Sequence, residues 1–124
     1  MPVCIAAGAL AAVLAADHFT LAWTHSIEKI RWEEDYVTEG QVLRLTEARI
    51  RGSGAGMEPP DGAVLDARGV WHYTPKLAPL AVLRITQSPY TAGYELCSDG
   101  RCRPLAALLP GLPDGVVELR ACGG

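Results

Sequence analysis

The chain has 124 residues and a mass of 13.2 kDa, the size of one domain able to bury its own core. Hydrophobic residues make up 49% and charged residues 20%, which excludes a disordered chain. Eleven basic against fourteen acidic residues leave a net charge of −3, against a general nucleic-acid binder, which needs clustered Lys and Arg.

Val3 to Ala16 is apolar and rich in Ala, the composition of a secretory signal. No Lys or Arg precedes it, Gly8 interrupts it, and it is too short to span a bilayer. Residues 1–16 therefore read better as a β-hairpin, with one arm near Val3 to Ala6, a turn near Ala7-Gly8, and the other arm from Ala9 to Leu14. Phe19 to His25 alternates, with Phe19, Leu21, Trp23 and His25 on one face, as in a half-buried strand. Gln41 to Ile50 does the same, with Leu43 and Leu45 opposite Val42, Arg44 and Thr46. Val70 to Tyr73, Leu80 to Thr86, Tyr94 to Cys97 and Val116 to Ala121 continue the series, and Leu105 to Leu109 suits a short helical turn. Gly and Pro turns separate these runs, so the expected fold is all-β: a compact single-domain sandwich or barrel of short, mainly antiparallel strands.

Four segments carry candidate chemistry. In Cys97-Ser98-Asp99-Gly100-Arg101-Cys102 the Asp-Gly pair favours a type I′ turn, and Cys97 then falls opposite Cys102 at a pair close enough for a disulfide. The bonded form ranks above a reduced hairpin, and the spacing is not a zinc pattern. Cys4 and Cys122 meet only if the terminal strands pair. His25 ends an apolar face and is followed by Ser26, Glu28 and Lys29, a polar cluster that is either a hydrogen-bonded rim or a binding site. Trp32 to Tyr36 brings three carboxylates together: Asp35 reads as part of a solvated strand edge, with Glu33 and Glu34 left open to binding. The loop from Arg51 to Pro60 holds Gly52, Ser53, Gly54 and Gly56, whose backbone N–H groups suit an anion, but it is neither a Walker A loop nor a dinucleotide fingerprint. No Ser is set in a nucleophile elbow or paired with a spaced Asp and His, so no catalytic residue, metal ligand or cofactor is expected.

Trp23-Thr24-His25-Ser26-Ile27-Glu28-Lys29, then Trp32-Glu33-Glu34 and Gly52 to Met57, resemble the bacterial family known as domain of unknown function 1850. Ser88 to Thr91 and Tyr94 to Cys97 fit the same pattern. The resemblance implies association with tripartite ATP-independent periplasmic (TRAP) transporters of the TAXI type, beside which such domains are encoded. The expected role is a non-enzymatic accessory protein contacting the permease or receptor subunit, without nucleic acid and without a transmembrane span. His25, Ser26, Glu28, Lys29, Glu34, Gly52, Ser53, Gly54 and Gly56 would bind that partner or a carboxylate-bearing small ligand. The alternatives are an independent small-ligand or metal-binding envelope protein and, behind it, a hydrolase-like enzyme built on His25, Ser26 and Glu28. Many relatives begin with an export or anchor segment, which favours the periplasm or cell envelope, whereas a chain without a working export signal would stay cytoplasmic.

Overall fold

A computed structural model describes residues 1–24, 30–51, 61–89 and 93–123. Two antiparallel sheets face each other. The smaller has four strands in the order β2-β1-β11-β8, from Leu10–Leu14 (β2), Val3–Ala7 (β1), Gly115–Ala121 (β11) and Leu83–Gln87 (β8). The larger has seven, in the order β10-β9-β3-β4-β5-β7-β6. Its strands are His18–Thr24 (β3), Arg31–Glu39 (β4), Val42–Arg51 (β5), Val64–Leu65 (β6), Val70–Tyr73 (β7), Glu95–Ser98 (β9) and Arg101–Pro104 (β10). A single turn of helix, Leu105–Leu108 (α1), follows β10. Of the two expected architectures, the chain adopts the sandwich.

Alternation decides which side chains meet between the sheets. Val3 and Ile5 of β1, Val117 and Leu119 of β11, Phe19 and Leu21 of β3, and Leu43 of β5 are all buried in one core. Phe19 stacks on Tyr36, with ring centroids 5.3 Å apart. The first residues form a hairpin in which Ala7 pairs with Leu10 and Gly8 turns at φ 60°. That hairpin is built into the small sheet, because β1 pairs with β11 on its other side.

The segment from Trp32 to Tyr36 departs from the reading of Asp35 as a solvated edge. β4 is the middle strand of the large sheet, hydrogen-bonded to β3 and β5 along its length. A charged strand is tolerated there because ion pairs along and diagonally across β4 and β5 (Arg31–Glu33, Arg49–Asp35, Arg51–Glu33) satisfy its charges, so the charge run marks a paired interior strand. A bulge lies in the same region: Asp35 faces Glu47 while Tyr36 faces Leu45, leaving Thr46 as the extra residue. It resets the alternation of β5, which buries Leu43 and Leu45 before the bulge and Ala48 and Ile50 after it.

The hairpin between β9 and β10 forms as its turn residues require. Asp99 and Gly100 have φ of 53° and 78°, both positive as in a type I′ turn. Cys97 pairs with Cys102, the Cα atoms are 3.9 Å apart, and the two are bonded. Cys4 and Cys122 are bonded as well, because β1 and β11 bring the two ends of the chain side by side. Among the described residues no helix is long and apolar enough to cross a membrane.

Candidate functional site

His25, Ser26, Glu28, Lys29, Gly52, Ser53, Gly54 and Gly56 lie outside the described residues. Glu34 is described, and so are the strands that lead to the other eight. β3 ends at Thr24 and β5 at Arg51, and both residues pair with Arg31 at one end of the large sheet.

On the inward face of that end, register alone assembles an aromatic row. Trp23 pairs with Trp32, Trp32 with Ile50, and Ile50 with Trp71. Trp23 and Trp32 are stacked at 6.3 Å between centroids, and Tyr94 leans on Trp23 at 5.8 Å. All four aromatic residues stay partly exposed. Trp32 Nε1 is buried and has no hydrogen-bond partner among the described residues. The next row inward places Glu34 between Leu21 and Ala48. A carboxylate in that row is unusual, since its neighbours in register are apolar. Its hydrogen bond comes from the Tyr36 hydroxyl, at 3.0 Å. Burial pushes the Glu34 carboxyl above its ordinary pKa, and the Tyr36 hydrogen bond only partly offsets this. Tyr36, Tyr73 and Tyr94 are raised first by their own burial and then by the charge of Glu34.

Beside this row a cleft of about 430 Å³ opens between the end of β3 and the start of α1. Trp23, Gln87, Tyr94, Glu95 and Leu105 line it. The Leu105 N–H donates to the Tyr94 carbonyl at 2.9 Å, which ties the helical turn to the cleft wall. Gln87 Oε1 is buried without a hydrogen-bond partner among the described residues. The cleft thus combines an aromatic wall with an acceptor that lacks a donor among the described residues, the composition of a small-molecule or side-chain binding site.

The outward face of the same strands carries a charge network that the sequence reading missed. Glu33 is only 7% exposed, yet accepts from Arg31 Nε at 3.0 Å, Arg49 Nε at 3.1 Å and Arg51 Nε at 3.0 Å. Burial works against its charge, but the hydrogen bonds from Arg31 and Arg49 and the charges of Arg51 and Arg49 outweigh it, so Glu33 stays below the ordinary carboxylate range. Arg49 also spans Asp35, at 2.6 and 2.7 Å, and Glu47. Asp35 takes a further hydrogen bond from Thr20 and is likewise held down despite burial. At the far side His72 sits between Asp66, at 2.7 Å, and Glu47, at 3.2 Å, and both raise its pKa. Its partner Asp66 is lowered to about 2, chiefly by that contact. The signal for this network was present as charges at every second residue, Arg31-Glu33-Asp35 and Glu47-Arg49-Arg51, of which only Glu33 and Arg49 are directly opposite unlike charges and the other ion pairs run diagonally or along a strand. It needed the β4–β5 register to be legible. Each group there has its partner, so the network is a structural clamp across the strands.

Among the described residues no group of three or more His, Cys, Asp or Glu side chains is arranged to hold a metal. The family described as Domain of unknown function (DUF1850) matches residues 19–105, more than half of the chain. No curated protein and no solved structure matches the chain.

Proposed function

The chain belongs to the DUF1850 family, and from that premise we propose that it is a non-enzymatic binding module of a TAXI-type TRAP import system, docking on the permease or receptor subunit. The transporter part of this reading rests on the family resemblance carried by Trp23 to Lys29 and Gly52 to Met57. One structural observation supports the binding part: Tyr94, Trp23, Trp32 and Trp71 form a partly open aromatic row at one end of the large sheet, with Glu34 directly behind it. Partly open aromatics beside a desolvated polar group are the residue types that anchor protein contacts.

His25, Ser26, Glu28, Lys29 and the glycines Gly52, Gly54 and Gly56, with Ser53, are the proposed remainder of the site, since β3 and β5 both end beside Arg31. A carboxylate of the partner or of a small ligand is the proposed guest: Lys29 and loop N–H groups suit an anion, and the raised pKa of Glu34 lessens its opposition. Two disulfides in a chain of this size suit an oxidising compartment, so the cell envelope is the proposed location.

Deleting the gene should impair uptake through the neighbouring permease, and restoring it with Trp23→Ala should rescue uptake only weakly. The tagged protein should co-purify with that permease or receptor. Unchanged uptake, where the permease is needed, overturns the reading and favours an independent ligand-binding protein. The cleft of about 430 Å³, with a Gln87 acceptor that has no partner among the described residues, is the observation that would then carry the argument.

A further inference from the structure

The two disulfides differ in surroundings. Arg31 reaches from β4 across the outward face and is pinned there by Glu95, at 2.8 Å from Nη1, and by Glu33, at 3.0 Å from Nε. Its remaining nitrogen, Nη2, lies 4.0 Å from Sγ of Cys97 and 4.0 Å from Sγ of Cys102. A disulfide is neutral and gains little from a guanidinium; a thiolate gains a great deal. Cys102 is exposed on β10, an edge strand exposed along all four residues and paired only with β9. Cys4 and Cys122 are each half-buried, and their bond closes a span of 118 residues against 5 for Cys97–Cys102. The stabilisation lost on reduction grows with the span closed, so the short one is the cheaper to open.

We propose that Cys97–Cys102 is a thiol–disulfide exchange site for a dithiol protein, with Arg31 holding the leaving thiolate, while Cys4–Cys122 stays a structural cross-link. The external thiolate attacks Sγ of the exposed Cys102, the Cys97–Cys102 bond breaks, and its electron pair leaves on Cys97 Sγ beside the guanidinium. The second thiol of the partner gives up its proton and attacks the mixed disulfide, which expels the Cys102 thiolate. The partner dithiol is thereby oxidised to a disulfide, and the hairpin gains two electrons and one proton, which the Cys102 sulfur takes from the second thiol while Cys97 stays a thiolate beside Arg31. The other groups facing the pair are Glu95 and Glu33, which share Arg31, and Thr20, which is opposite Cys97 and donates its hydroxyl hydrogen bond to Asp35. Arg101 and Arg103 alternate to the other face of β10 and belong to a separate pocket.

The test titrates the oxidised protein with glutathione buffers, and separately with reduced thioredoxin as the dithiol probe, then alkylates and maps the cysteines by mass. Cys97 and Cys102 should be alkylated at reductant levels that leave Cys4–Cys122 intact. Arg31→Gln should lower the exchange equilibrium roughly five- to tenfold, and Glu95→Gln, which removes one of the two carboxylates that neutralise the guanidinium, should raise it. Circular dichroism checks that both variants keep the strand spectrum. Should Arg31→Gln fail to fold, the opposite shift in Glu95→Gln decides. Opening of Cys4–Cys122 first or together with the hairpin, or an equilibrium unmoved in the folded variants, overturns the proposal.

Discussion

Glu33 and Glu34 are neighbours in sequence and face opposite environments, so each makes its own demand on the fold. Glu33 gathers three arginines on the outward face. Replacing it by Ala removes the carboxylate that Arg51 contacts and one of those that Arg31 and Arg49 share, over a surface that water reaches only in part. Breaking a buried pair costs about 3–5 kcal/mol, and the partial exposure of Arg31 and Arg51 puts Glu33→Ala near the lower end, about 3 kcal/mol. A urea midpoint that falls accordingly would bear this out, and one within experimental scatter of the parent would not. Glu34 points the other way. Its carboxyl is raised by burial, so ionisation costs more in the folded than in the unfolded chain. The folded state therefore loses stability as pH climbs from the ordinary carboxylate value through the raised one, and stays lower above it. Glu34→Gln should remove that slope: the variant is more stable than the parent at pH 7 and level with it near pH 3. Urea unfolding of both proteins across that range measures it, and a difference independent of pH would contradict the assignment. Glu34 was legible in the sequence as an open candidate. Its inward position was not, because a run of three acids does not show which of them faces the core until the pairing of β4 with β3 is known.

At the scale of elements, local turn chemistry transmitted most clearly from sequence to structure. Asp99-Gly100 dictated a type I′ turn, and that turn alone put Cys97 opposite Cys102. The bond between Cys4 and Cys122 had no such local cause, since it depends on β1 pairing with β11 across the whole length of the chain. Alternation likewise located β3, β5, β7, β9 and β11, whereas the two-residue β6 is too short to carry a period. The same asymmetry sets what each cross-link is worth. Closing a loop of about a hundred residues restricts the unfolded chain by up to about 5 kcal/mol in the chain-entropy account. The paired substitution Cys4→Ser with Cys122→Ser should thus destabilise the protein by about 3–5 kcal/mol, seen as a lower thermal midpoint under oxidising conditions. An unchanged midpoint would mean that β1 and β11 hold the termini without help.

The whole molecule is larger than the part that the family match covers. Residues 19–105 contain all seven strands of the large sheet but only β8 of the small one. The missing strands, β1, β2 and β11, supply Val3, Ile5, Val117 and Leu119, which are most of the small sheet's share of the core and are almost fully buried. Without them the inward side chains Phe19, Leu21, Leu43 and Leu96 would face water. Fully burying one such side chain stabilises by roughly 1.5–3 kcal/mol, so four exposed together offset most of what a domain of this size has in reserve. The aromatic row at the candidate site would remain in sequence but lose the sheet that holds its strands in register from the other side. A chain consisting of residues 19–105 should therefore fail to unfold cooperatively in urea and should bind a hydrophobic dye strongly, whereas the 124-residue chain should give one sharp transition and little dye binding. If residues 19–105 alone unfold in a single steep transition, the large sheet is self-sufficient, and the small sheet must be retained for a reason other than stability.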